Sequence, residues 1–331
     1  MAANYACSES WRLACRSALG CEIRQAELRS PSGERLGSAA YAVMKSRIFG
    51  RRLISLPFSD ESALALADPD RASDAAAALK GLLDSAAGSC GAAFAELRGA
   101  GPVQEAAPAD FPPSAPYVRF ELALAPGHEK LRAAYNTNIL KNLSKAEKFV
   151  SVEVAEAPSD MELRGLYDIY LAQMRRFGSP PLPLAYFSAL SRSGLYVFFT
   201  ALVGGRPAGM LAAIKDGPVL RADVNAALPG SDAFFPKVRL FDESIRWAAA
   251  SGYATYDFMR TRRGSGVHAH KLKWGGTERE IRYYYRVYRG GADLNPDPDR
   301  PLYRLAAMGL RFAPMALLEK IGPLIRSAAG K

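Results

Sequence analysis

The chain has 331 residues, 49% of them hydrophobic and 23% charged, which excludes wholesale disorder and suits two domains. A net charge of +10 favours an anionic partner (RNA, a phosphorylated sugar lipid or an acidic membrane) over stable DNA binding, the plain alternative being a soluble enzyme with a basic surface. Four cysteines with no C-x-x-C pair, and only His128, His268 and His270, argue against a zinc framework, so no metal is expected.

The N-terminus lacks the basic head, apolar core and small-residue cleavage site of a secretory signal. The strongest apolar run, LYVFFTALV at 195–203, is far short of the ~20 residues a spanning helix needs. The expected location is the cytoplasm, with reduced thiols.

In chain order, RLGSAAYAVMKS (35–46) and FGRRLISLPF (49–58) read as a hairpin whose turn gathers Lys45, Arg47, Arg51 and Arg52. A helix follows on Leu79, Leu82, Leu83 and Ala86 and stops at glycine. A short strand then carries Glu96 and Arg98. A Pro- and Ala-rich loop spans 99–116. In YVRFELAL, Val118, Phe120 and Leu122 alternate against Arg119 and Glu121, as in a half-buried strand. One helix is predicted over 129–149, with Ile139, Leu143, Ala146 and Val150 on its apolar stripe. Its Lys141, Lys145 and Lys148 form a second face, read either as solvated or as phosphate-facing. Another helix covers Asp160 to Phe177 and ends before Pro180 and Pro181.

The second half echoes the first. RPAGMLAAIKDG (206–217) and PVLRADVNAAL (218–228) form a hairpin, and LFDESIRWAAASGYATYDFMR (240–260) gives helix, glycine and strand. The acid follows the glycine by five residues in both copies, Gly91 to Glu96 and Gly252 to Asp257. Two weakly similar α/β units in tandem are therefore expected, divided as 1–148 and 149–290, with a tail at 291–331. The tail holds a turn-rich spacer and two amphipathic pieces broken at Pro314 and Pro323, suited either to packing on the protein or to lying on the inner face of the membrane.

Nine Lys or Arg between Arg260 and Arg289 face only Glu278 and Glu280, a local net charge of +7. Trp274, Tyr283, Tyr284, Tyr285 and Tyr288 interleave them, either as stacking rings or as ordinary strand core. GSGVHAHKLKWGG (264–276) is read as a turn leading into a basic strand, with Lys271 on that strand. It lacks ligands for a metal and the pattern of a Walker loop. With no evident nucleophile, the chemistry that remains is acyl transfer in which the acceptor amine itself attacks. Lys271 would place charge at a developing oxyanion or leaving hydroxyl, and Asp257 would orient the amine, take its proton, or simply pair with an arginine.

YDFMRTRRGSGVHAHKLKWGG resembles the FDFGRS…G…FKxxWG signature of the FemAB-like branch of the GNAT superfamily. It looks most similar to FemAB-related proteins of exosortase and exopolysaccharide gene neighbourhoods. FGRRLISLPF, LKNLSKAEK and MRRFGSPPLPLAYFSAL resemble further segments of that family, so the likeness runs through nearly the whole chain. It implies an α/β (α+β) protein of two tandem GNAT-like domains, each a mixed, mostly antiparallel sheet flanked by helices, with a short helical tail. It also implies an acyl- or aminoacyltransferase whose anionic co-substrate is aminoacyl-tRNA or a CoA thioester, with no bound cofactor. The acceptor would be an amine of a nucleotide-sugar-peptide or a lipid-linked glycan.

Carried over, the family's lysine is Lys271, its Asp is Asp257, and Trp274 with Gly275 completes the motif. Around them the resemblance implies substrate contacts from Arg175, Arg176, Tyr186, Asn225, Lys237, Arg239, Arg260 and His270, and from Lys45 and Arg51 in the first half. Two residues depart from the signature: His270 stands where the family has Phe, and Met259 where it has Gly. AFFPKVRLFDESI lacks the glycines of an acyl-CoA pyrophosphate loop, which weakens the CoA alternative. The third reading is a non-catalytic module that binds anionic ligands.

Overall fold

The computed structural model describes residues 4–46, 50–99, 107–290 and 301–330. The chain divides into two compact units: Met1–Tyr117 with Glu280–Arg300 and Leu324–Lys331, and Val118–Arg279 with Pro301–Pro323. This differs from the expected division at 148/149, because the segment read as the basic helix of the first half belongs to the second unit. Arg47 and the spacer before Pro301 lie outside the described residues, as do residues 100–106 of the Pro/Ala-rich loop.

The first unit opens with α1 (Glu9–Leu19), capped by the Ser8 side chain and ended at Gly20 in the left-handed region. Strands β1 (Glu22–Arg29) and β2 (Arg35–Ser46) form an antiparallel hairpin. β3 (Gly50–Ile54) continues the sheet, and β4 (Leu64–Leu66) pairs with β2 off the main path. α2 (Ala72–Cys90) stops at Gly91, φ 66°, and delivers β5 (Phe94–Gly99) parallel to β3. Leu79, Leu83 and Ala86 of α2 are buried against Tyr41, Leu53 and Leu97. The C-terminal part of β13 (Thr277–Val287) pairs antiparallel with β5.

The second unit runs β6-β11-β10-β9-β8-β7 across its sheet, from β6 (Pro113–Ala123), β11 (Thr255–Asp257), β10 (Val219–Ala227), β9 (Arg206–Asp216), β8 (Tyr196–Val203) and β7 (Val150–Ala155). The pair β12 (Thr261–Arg262) lies against β6. α7 (Pro236–Ala250) buries Val238, Leu240, Phe241 and Ile245 on the sheet. The chain then turns through Gly252, φ 82°, into β11, parallel to β10. The echo in the sequence is thus an echo in register. The acid occupies the third rung of a parallel pair in both units, Ile54↔Glu96 and Arg221↔Asp257.

The expected helix at 129–149 is two helices, α3 (His128–Ala133) and α4 (Thr137–Ala146). Asn136 interrupts them, because its side chain accepts from the Asn138 N–H and starts a new helix. α5 (Asp160–Phe177) begins with a Ser159/Glu162 capping box and ends at Gly178, and α6 (Leu184–Arg192) follows it.

GVHAHK is not a strand but a short helix, α8 (Gly266–Lys271), capped by Ser265 and followed by a 3₁₀ turn that ends at Gly275. Val267 and Leu272 are exposed, whereas Lys271 and Trp274, three residues apart, are buried.

The tail forms α9 (Pro301–Phe312) and α10 (Met315–Ala329), the latter continuing through Pro323 rather than breaking there. Outside contacts hold α10 across the lost hydrogen bond. Arg164 clasps Glu319 at 2.6 Å, and Gly322 lies so close to Pro181 that a Cβ would fall 2.2 Å from its ring. At the far end, in the first unit, buried Arg52 donates to the Ala328 and Ala329 carbonyls and Arg98 to that of Gly330. These satisfy acceptors that a helix C-terminus leaves open.

Candidate active site

Asp257 ends β11 with 0% exposure and lies among charges. Its Oδ2 accepts from Arg119 at 3.3 Å and from Arg221, and Oδ1 accepts from the Met259 N–H at 2.7 Å. Arg221 also reaches Asp216 at 2.8 Å. Two arginines and two aspartates therefore balance in the interior, the arrangement that lets buried charges persist. The sequence had set Arg119 beside Glu121 on a polar face, but it is buried. An arginine in a strand of alternating apolar residues, two positions from Glu121, was the available signal.

Beyond Asp257 the backbone turns through Met259 at φ 59°, left-handed for a residue with a side chain. Glycine, which the FemAB-like signature has at this position, adopts such a φ without strain. The turn is pinned from within by Lys271, 7% exposed, whose Nζ donates to the carbonyls of Phe258 at 2.5 Å, Met259 at 2.9 Å and Arg260 at 3.2 Å. An ammonium has three N–H donors, and three carbonyls take them. Lys271 is therefore placed to supply a fixed positive charge and to shape the 258–260 turn, rather than to pass a proton.

His270 is half-buried, and its Nε2 lies 3.4 Å from Trp274 Nε1, which donates to it. Burial first, then the charges of Lys237, Lys273 and Lys271, lower its pKa below the usual imidazole value, so the ring is neutral at pH 7. Burial likewise lowers the Lys237 pKa, Asp232 opposing and Arg176 adding to the shift. Trp274 is fully buried against Tyr135 and Phe241 and is a core residue rather than a substrate contact. Tyr186, 1% exposed and packed on Phe187, is likewise core.

The other expected contacts mostly have partners. Arg175 donates to the Arg311 carbonyl, Arg176 pairs with Asp232 at 2.6 Å, and Arg239 pairs with Asp242 and Glu243. Lys45 pairs with Glu22, and Arg51 donates to the Cys90 carbonyl, each within the first unit. Asn225 donates to the Lys237 carbonyl, and the Arg260 carbonyl accepts from Lys271. A residue that the sequence did not suggest is Gln173 of α5. β10 runs on past β11 to Ala227, and the Gln173 amide serves this edge as a neighbouring strand would. It donates to the Asn225 carbonyl at 3.1 Å and accepts from the Ala227 N–H at 3.0 Å.

The +7 stretch does not act as one cluster. Arg263 and Arg279 meet Glu278 and Glu121 in the second unit. Arg282 and Arg286 meet Glu280, Asp84 and Asp110 in the first. Tyr283, Tyr284 and Tyr285 are all buried, so they build core on both faces of β13 and offer no stacking platform. His268 faces Glu278 at 2.9 Å, and no group of three or more metal-ligating side chains occurs among the described residues.

Residues 133–272 match the family described as an acetyltransferase (GNAT) domain. Among solved structures, FemX is 14% identical, with 90% of this chain and 93% of that one covered at a TM-score of 0.59. The C-terminal DUF2156 domain of a putative lysylphosphatidylglycerol synthetase from Agrobacterium fabrum is 12% identical, with 91% and 90% covered at 0.60. A tandem GNAT protein from the clavulanic acid biosynthesis pathway is 12% identical, with 85% and 88% covered at 0.53. No curated protein matches. At these identities the structural likeness is one of fold, a tandem GNAT-like architecture as the FemAB-like resemblance implied, and the segment that matches the acetyltransferase (GNAT) domain lies within the second unit.

Proposed function

We propose that this chain transfers an aminoacyl group from an RNA ester to an amine of a cell-envelope acceptor, a peptidoglycan precursor or an exopolysaccharide intermediate. The observation that carries the reading is the turn 258–260, clamped between Asp257 and Lys271 at the end of β11 in the GNAT-matched unit. Attack of a neutral amine on an ester carbonyl builds an oxyanion. A fixed ammonium about 5–6 Å away stabilises that charge by roughly 3 kcal/mol at an effective dielectric of 20. Asp257, with both oxygens engaged, positions the turn and its arginines and leaves proton removal to solvent or to a substrate group.

One observation favours acyl-CoA as donor instead: the matched family is described by acetyl transfer. Against it, the open edge of β10 that an extended amide-bearing arm would use is occupied by Gln173. Titration calorimetry with CoA and with aminoacyl-tRNA separates the two. For the RNA donor, affinity should fall steeply between 50 and 200 mM salt as counterions are released. A salt-independent affinity, or binding of CoA alone, would overturn the RNA reading.

A lipid-linked acceptor agrees with the tail. Leu305, Met308, Phe312 and Leu317 are exposed, with Arg304, Arg311 and Lys320 on the same two helices. No helix among the described residues is long and apolar enough to cross a membrane. Flotation with phosphatidylglycerol vesicles, lost in Phe312→Asp, tests this contact, and recovery in the soluble fraction would refute it.

A further inference from the structure

We infer that a concave surface over α4 is the seat of a single-stranded RNA backbone. This rests on the RNA-ester reading above and gives it an address. The cavity, about 710 Å³, is lined by Asn138, Lys141, Asn142, Ser144, Lys145 and Lys273 among others, and no carboxylate lines it.

Several cations of this unit are neutralised: Arg132 by Glu147, Arg176 by Asp232, Arg246 by Glu243 and Arg263 by Glu278. Lys141, Lys145 and Lys273 have no ion pair among the described residues. Three lysines without a carboxylate partner, gathered in one concavity, mark a place for an external anion.

The site is also built. Asn136 caps α4, and its N–H donates to the Lys273 carbonyl at 2.9 Å, which fastens the turn before Trp274 to the start of the helix. Lys145 lies over the Phe235 ring at 5.8 Å. Lys273 is two residues from Lys271, whose ammonium clamps the turn 258–260.

The layout favours a linear polyanion over a compact phosphate. Lys141 and Lys145 step along α4 at i and i+4, about 6 Å apart at 1.5 Å rise per residue, and Lys273 extends the row from the facing turn. A single pyrophosphate calls for convergent, enclosed donors, whereas this surface is open and its lysines are in file. Between the lysines, Asn138, Asn142 and Ser144 offer side chains that both donate and accept, as a ribose 2′-hydroxyl requires.

The experiment is fluorescence anisotropy on the full chain with a labelled single-stranded 12-mer RNA, from 50 to 200 mM KCl. It compares wild type, Lys141→Glu/Lys145→Glu, Lys273→Glu, and Arg192→Glu as a charge control elsewhere, with circular dichroism to confirm folding. The double variant should weaken RNA binding at least about tenfold and flatten the log–log salt slope by about 1.4, two phosphates at ~0.7 each. Arg192→Glu should stay near wild type, and DNA of the same sequence should compete more weakly than RNA. Wild-type-like RNA binding by the double variant would overturn the site while leaving the RNA-ester donor standing. Loss of ADP or CoA binding with RNA unchanged would reassign the cavity to small phosphates, and equal competition by DNA would remove the ribose argument. Absence of RNA binding by the wild type would remove the donor reading and the site together.

Discussion

Lys271→Met is the sharpest perturbation of the clamped turn. Methionine keeps the length of the side chain and removes the ammonium. Three carbonyls lose their donor, and two of them belong to Phe258 and Met259, which are 1% and 9% exposed. A buried acceptor left without a partner costs about 1–3 kcal/mol, and two such groups about 2–6 kcal/mol. Relief of the desolvation carried by the buried ammonium returns part of this, leaving a net loss of about 3 kcal/mol. At about 2–4 °C per kcal/mol for a unit of this size, the melting midpoint should fall by about 6–12 °C. Transfer should fall about 100-fold if roughly 3 kcal/mol of oxyanion stabilisation goes with the charge. Lys271→Arg keeps the charge, but a planar fork cannot converge on three carbonyls around one point, so stability should be only partly restored. The measurements are scanning calorimetry and single-turnover transfer on the same preparations. A midpoint within 1 °C of wild type together with an unchanged rate would refute the reasoning. A lost rate with an unchanged midpoint would mean that Lys271 acts on the substrate rather than through the turn.

Asp257→Asn leaves Arg119 and Arg221 sharing less negative charge in the interior. It should cost about 3–5 kcal/mol, read as a lower urea midpoint, with Arg221→Met in the same chain returning part of the loss. For His270 the folded pKa lies below the ordinary 6.5, so the unfolded chain takes up the proton first and stability declines as pH drops below about 6.5. His270→Phe should remove that part of the decline, and an identical pH profile for the variant would contradict it. Gly322→Ala sets a methyl 2.2 Å from the Pro181 ring and should loosen α10, seen as faster trypsin cleavage at Lys320. Cleavage at the wild-type rate would show that the helix is not held there.

Much of the architecture was legible because it rests on local rules. Helix, glycine stop and strand recur with the same spacing to Glu96 and Asp257, and the structure places both acids on the same rung of a parallel pair. The periodicity of the apolar stripe fused α3 with α4, because it runs on past the Asn136 cap that separates them. Met259 in place of glycine was visible as a departure, and its meaning is a backbone at positive φ.

Other features depend on partners distant in sequence. GVHAHK reads as a strand in the sequence but is a helix, and the inward pull on Lys271 and Trp274 from Phe258, Met259 and Phe241 accompanies it. Charge counted along the chain suggested one basic cluster, but β13 carries Arg286 to Asp110 and Asp84, 176 and 202 residues away, and Coulomb energy depends on distance in space. Sequence alone determined the tandem α/β plan and the motif that holds Asp257 and Lys271, because hydrophobic period, caps and glycines act within a few residues. Tertiary structure alone decided which charges are spent on one another and which, as at Lys141, Lys145 and Lys273, remain for a ligand.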